Sequence, residues 1–322
     1  MLLANMTSRP PRTNTTFFLV AIVLLTGGLL LATKPKPGSS GQTADTASSP
    51  NTPNSSTQTV PDTISWNGEL VLLRNSTIVA RSQSAKERTI YTAPSGTTIV
   101  QTTPMTGTTV AIELSSGSPK IILVDVSTGK VTPRNDINSL TATAPRPTTN
   151  GYASVSFSNA ERDFGSHVVL NDNGLQKNLY QTNDAVTLLM WRADGSQLAI
   201  GTQTGVAIAD ITAGTSKEYA LGSPAKSLRW FSGALYVVTA DGTVTVVDGT
   251  ATPSTTVVPK GIGMVARDFV PLGNNRFAWL GAAGLESPIS ITTQDLALYD
   301  TNHAAVTQES SANELLGVTN GN

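Results

Sequence analysis

Val186–Leu221 reads VTLLMWRADGSQLAIGTQTGVAIADITAGTSKEYAL. It divides into four short runs, TLLMW, QLAIGT, GVAIAD and SKEYAL, of the length and residue type that suit strands. The first break is Ala-Asp-Gly-Ser at 193–196. Asp and Gly tolerate positive φ, so this break reads as a hairpin turn. Four strands joined by tight turns make one antiparallel sheet.

The pattern extends in both directions. The next unit repeats it as SLRWF, ALYVVTA, TVTVVD and STTVV, and looser copies lie at 97–134, 137–181 and 264–308. The shortest copy, at 64–92, is ISW, ELVLLR, STIVAR and ERTIYT. Two markers test the repeat. The end of the first strand falls at Trp66, Pro104, Pro145, Trp191, Trp230 and Pro271, at intervals of 38 to 46 residues. The end of the third falls at Arg81, Asp125, Asp172, Asp210, Asp248 and Asp300, at intervals of 38 to 52. Such a period is that of four-stranded propeller blades. The expectation is an all-β chain, a six-bladed β-propeller of four-stranded antiparallel blades over 64–309, with 310–322 as a C-terminal tail. A pair of packed β-sandwiches is the structural alternative. The pattern leaves open whether the ring closes through its own strands or a borrowed one.

These residues resemble the WD40-like repeats of bacterial propellers of the TolB and YVTN type. The resemblance rests on W-R-A-D-G-S-Q-L-A-I at Trp191–Ile200 and L-V-D-V-S-T-G-K-V at Leu123–Val131, and it covers roughly 64–308. The Gly-His and Trp-Asp dipeptides of eukaryotic WD40 repeats are absent. The resemblance implies a propeller with a ligand- or protein-binding face, commonly outside the cytoplasm. It implies no particular chemistry.

Composition narrows the function classes. The 322 residues carry 21 Lys and Arg against 22 Asp and Glu, a net charge of -1, which exerts no global pull on nucleic acid or anionic lipid. Cysteine is absent, so disulfides, thiolate catalysis and cysteine-ligated metals are excluded. The two histidines, His167 and His303, exclude a three-histidine metal site. There is no P-loop, dinucleotide fingerprint, G-x-S-x-G or H-E-x-x-H. No cofactor and no resident metal are expected, and nucleic acid is not an expected partner.

Phe17–Ala32, FFLVAIVLLTGGLLLA, carries no charge. Its sixteen residues span about 24 Å as a helix, and the flanking threonines, whose hydroxyls bond back to the helix, extend 15–33 to about 28 Å. A cleaved signal peptide is the competing reading, with Arg9 and Arg12 as its basic region. Cleavage after Ala32 places Leu30 where a small residue is wanted, which favours an uncleaved signal anchor over 17–33. Residues 1–16 are then a short cytoplasmic N-terminus, and the long polar chain that follows is translocated. Residues 34–63 are rich in Ser, Thr, Pro and Gly and read as a disordered linker. The expected location is a bacterial cell membrane, single-pass, with the C-terminal domain extracytoplasmic.

Candidate sites are weighed against plain structural roles. The repeated Asp before Ser/Thr-Gly or Asn-Gly reads as a turn cap rather than a carboxylate ring. Trp66, Trp191 and Trp230 read as packing between blades rather than ligand stacking. His303 reads as a turn residue. The loop between second and third strands lengthens to Ser158–Gly165 in the third unit and Ala282–Gln294 in the sixth. Those units oppose each other in a six-membered ring. Arg162, Asp163, Phe164, His167 and Glu286 are therefore the candidate binding residues. The expected function is a tethered module that binds a protein or cell-envelope component. The alternative is a six-bladed hydrolase or lactonase with a channel calcium, which the scarcity of inner-strand carboxylates (Asp268 is one) disfavours.

Overall fold

The computed structural model describes residues 66–319, except 105, 161–162, 242, 250–253, 258–263, 275, 284–293 and 301–304. The membrane helix expected over Phe17–Ala32 and the linker expected over 34–63 lie outside the described residues. Among the described residues, no helix is long and apolar enough to cross a membrane.

Five four-stranded antiparallel sheets are each built from one run of chain. The first comprises β4 (Ile99–Thr102), β5 (Thr109–Leu114), β6 (Ile121–Asp125) and β7 (Val131–Pro133). Next come β8 (Thr143–Pro145), β9 (Tyr152–Ala160), β10 (Asp163–Asp172) and β11 (Leu175–Thr182). The clearest repeat forms β12 (Val186–Trp191), β13 (Gln197–Thr202), β14 (Gly205–Asp210) and β15 (Thr215–Ala220). It is followed by β16 (Ala225–Phe231), β17 (Ala234–Thr239), β18 (Thr243–Val247) and β19 (Ser254–Val257). The last run holds β20 (Met264–Gly273), β21 (Arg276–Ala283), β22 (Gln294–Asp300) and β23 (Ala305–Ala312).

The remaining sheet is composite. β1 (Glu69–Arg74), β2 (Thr77–Ser82) and β3 (Glu87–Thr92) come from the start of the domain. Their fourth strand is β24 (Glu314–Val318), in the order β24-β1-β2-β3. Two expectations are corrected here. The shortest unit takes β24, rather than ISW, beside β1 as its fourth strand, and Trp66 packs at the seam between this sheet and the β20–β23 sheet. Residues 310–322 are not simply a tail, because they carry the strand that pairs with β1.

The first strands of the sheets lie side by side. β8, β12, β16, β20 and β24 contact in succession. Thr102 of β4 donates its hydroxyl to the Glu314 carboxylate of β24, and Thr141, just before β8, donates to Gln101 of β4 at 3.0 Å. The ring therefore closes, and the chain is an all-β propeller with four-stranded antiparallel blades. The core lies in the seams. Strand alternation sends one face of each sheet to each neighbour, so Leu198 and Ile200 meet Val168 and Leu170 across one seam. Phe231, Tyr236, Phe269 and Phe277 fill another with ring centroids 6.0–6.3 Å apart.

Polar side chains secure the seam where the connection between blades is longest, 134–142. Buried Glu113 accepts from the Leu140 amide at 2.8 Å and the Ser139 hydroxyl at 3.0 Å, and pairs with Lys120 at 2.7 Å. Burial alone raises its pKa, but the bonds from Lys120, Leu140 and Ser139 outweigh burial and hold the carboxyl below its ordinary value.

Candidate functional site

The inner strands surround an axial channel, and Arg229 borders two cavities along it. SLRWF places this arginine in β16 between Leu228 and Trp230, and it is only 5% exposed. Its Nη1 donates to the Leu228 carbonyl at 2.9 Å. Its Nη2 donates to the Leu315 carbonyl of β24 at 3.0 Å, bridging two blades that are not neighbours. A cavity of about 240 Å³ lies on one side, walled by Trp191, Arg192, Trp230, Phe231 and Pro271. A second, of about 370 Å³, lies on the other, walled by Leu188, Lys226, Ser227, Asn313 and Glu314. Arg229 lines both.

The wall of the first cavity repeats one device. Trp191 Nε1 donates to the Ala144 carbonyl of β8 at 2.9 Å, and Trp230 Nε1 donates to the Met190 carbonyl of β12 at 3.2 Å. Each indole thus hooks the preceding blade. An arginine from that preceding blade covers each ring: Arg146 over Trp191 at 5.5 Å and Arg192 over Trp230 at 5.9 Å. Arg146 also donates to the Gly195 carbonyl at 3.1 and 3.0 Å and to Asp172 at 3.0 Å. Trp191, only 1% exposed, is packing rather than a stacking platform.

Two of the strand-end aspartates, Asp125 and Asp210, cap turns. Asp125 accepts from Ser127, from the Thr128 amide and hydroxyl, and from Thr108, at 2.5 to 2.9 Å. These bonds, led by that from Ser127, hold its carboxyl far below the usual range. Asp210 accepts from the Ala213 amide at 2.8 Å. Asp172 differs, being ion-paired to Arg146. Among the described residues, no group of three or more His, Asp or Glu is placed to hold a metal ion.

Arg162, Glu286 and His303 lie outside the described residues. Ser158–Gly165, read as a loop, is mostly strand: Asp163 pairs with Ala160, Phe164 with Asn159 and Gly165 with Ser158. β11 begins pairing only at Ser166, and β8 pairs β9 only as far as Ser154. The hairpin tip is therefore a two-stranded ribbon that outruns its sheet. His167 sits further in, paired with Ser156 and Gln181 and half-buried. The structure thus groups Asp163 and Phe164 on the ribbon and sets His167 in the body of the blade. Sequence reasoning missed Arg229, whose signal was a charged residue between the large apolar Leu228 and Trp230 of β16.

No protein-family profile matches the chain, and neither does any curated protein. Solved structures do. The putative TolB from Agrobacterium tumefaciens aligns at a TM-score of 0.49 and 10% identity, covering 78% of this chain and 93% of that one. TolB from Acinetobacter baumannii aligns at 0.49 and 14% identity, covering 79% and 66%. The β-propeller domain of the Trilobed protease from Pyrococcus furiosus aligns at 0.40 and 14%, covering 66% and 71%. At such identities the likeness concerns fold alone.

Proposed function

We propose that this chain is a membrane-tethered, extracytoplasmic β-propeller that docks a protein or cell-envelope component on the face carrying the β9–β10 ribbon. The observation that supports this most is the ribbon itself, three residue pairs that extend past the four-stranded sheet. In an antiparallel blade, the turn between second and third strands lies at the same edge as the start of the first strand. The ribbon therefore shares a face with the channel mouth at Lys226, Asn313 and Glu314. A ribbon beside a concave, mixed-charge mouth offers a protruding edge and a recess together, which suits a macromolecular partner. Arg162, Asp163, Phe164 and Glu286 are the proposed contact residues, with His167 behind them. Anchorage through Phe17–Ala32 holds the module at the membrane.

The test replaces Asn159–Phe164 with Asn-Gly in the full-length chain. Loss of a cross-linked partner, with an unchanged melting temperature, supports the reading. Retention of the partner overturns it. Alkaline carbonate extraction tests the tether, which is wrong if the chain is released from membranes.

A further inference from the structure

A second groove lies away from the channel, among the outer strands. It lies where β7, at the edge of its blade, meets the β10–β11 hairpin of the next. Its cavity is about 610 Å³. The groove is walled by Asn135, Asp136, Asn150, Tyr152, Asn173 and Gln176.

The floor is fixed. Arg134, only 4% exposed, donates from Nε and Nη2 to the two Asp136 oxygens, both at 2.8 Å. Nη2 also reaches the Asn150 carbonyl at 2.6 Å. The Asp136 side chain remains 46% exposed, so a rigidly oriented carboxylate faces solvent. The Arg134 bonds hold that carboxyl below its ordinary pKa. The far wall is fixed as well. Gln176 Nε2 donates to Asn171 Oδ1 at 2.9 Å, and Asn171 Nδ2 donates to Ser154 at 3.1 Å. The Asn173-Gly174 turn, with φ of 52° and 78°, carries Asn173 to the rim. Asn135, Asn150, Asn173 and Gln176 are all exposed.

The chemistry of these walls narrows the ligand. The charge of Arg134 is matched by Asp136, so the groove has no surplus cation for phosphate or nucleic acid. Only Tyr152 and Pro133 offer sizeable apolar surface, too little to anchor a peptide side chain. Side-chain amides offer both donors and acceptors, and a carboxylate accepts only. Ring hydroxyls, which donate and accept from one atom, match that set, and half-buried Tyr152 adds an aromatic side chain to the lining. We infer that this groove binds a neutral oligosaccharide. The inference does not depend on the channel-face reading.

The full-length chain in detergent is titrated calorimetrically with cellohexaose, chitohexaose, maltohexaose and laminarihexaose, each to about 10 mM. At least one is expected to bind with a Kd at or below about 1 mM. The exposed double variant Asn135→Ala/Gln176→Ala is expected to weaken that binding at least about tenfold with an unchanged melting temperature. Asp136→Asn is expected to weaken it as well. Three results overturn the inference: none of the four sugars binds, the double variant binds undiminished, or trigalacturonate binds more tightly than any neutral sugar.

Discussion

Glu69 and Thr319 lie 250 positions apart in sequence and are joined by two hydrogen bonds. The Thr319 amide donates to the Glu69 carbonyl at 2.9 Å, and the Glu69 amide donates to the Thr319 hydroxyl at 2.8 Å. This clasp ends the β1–β24 pairing that closes the ring. Gly68 sits against it at φ +88°, where an added Cβ would lie 1.8 Å from the Thr319 carbonyl oxygen. Thr319→Val is expected to cost about 1–2 kcal/mol, because it strands the Glu69 amide. Gly68→Ala is expected to cost more, since it adds a backbone clash to an unfavourable φ. Urea denaturation measures both, and equal stability of Gly68→Ala and the parent would contradict the clasp.

The indole hooks separate packing from hydrogen bonding. Trp191→Phe keeps most of the buried area and loses the bond to Ala144, at an expected cost of about 1–3 kcal/mol. Trp191→Ala also leaves a cavity and is expected to cost about 3–5 kcal/mol. If the two variants are equally stable, the ring contributes no packing at this seam.

Arg229 makes a prediction of opposite character to an ordinary core residue. Arg229→Leu leaves the Leu228 and Leu315 carbonyls without their guanidinium donor. Each lost bond is expected to cost about 1–3 kcal/mol. Arg229→Lys is also expected to destabilise, because an ammonium cannot span two carbonyls as a planar fork does. Thermal unfolding ranks them, and a Leu variant more stable than the parent overturns the bridging role.

The turn aspartates set the acid limit. Asp125, Asp194, Asp210 and Asp241 all have depressed pKa values in the folded chain. A depressed carboxyl contributes stability that is fully present above its unfolded pKa, about 3.9. The contribution is lost as pH falls from there through the folded value. Melting temperature is therefore expected to decline below about pH 4. Asp125→Asn is expected to be less stable than the parent at neutral pH and to converge with it in acid. A pH-independent difference between the two excludes this linkage.

Much of the fold was legible because its signals are local. Alternation, Asp-Gly turns and the recurrence of Trp and Pro at strand ends locate β12–β18 almost residue by residue. The closing strand was not legible in the same way. ELLGV is a visible apolar run, but its partner ELVLLR lies at the other end of the domain, and periodicity cannot report a pairing between distant segments. The polar stretch Ser158–Gly165 was read as a loop because SNAERDFG shows no apolar/polar alternation, the signal by which a strand is recognised. Asp163 and Phe164, read as loop residues, thus lie in paired strand instead. Buried Arg229, Arg134 and Glu113 were passed over because their partners are carbonyls, amides and charges brought together only by the ring.

The composite sheet also orders events during synthesis. β1 emerges early and keeps an open backbone edge until Glu314–Val318 has been made. An open edge is a template for strands of other chains, and pairing across so much sequence is intrinsically slow. The nascent domain therefore spends most of its translation as an unlatched crescent, and protection from self-association falls to whatever shields β1 until the latch arrives.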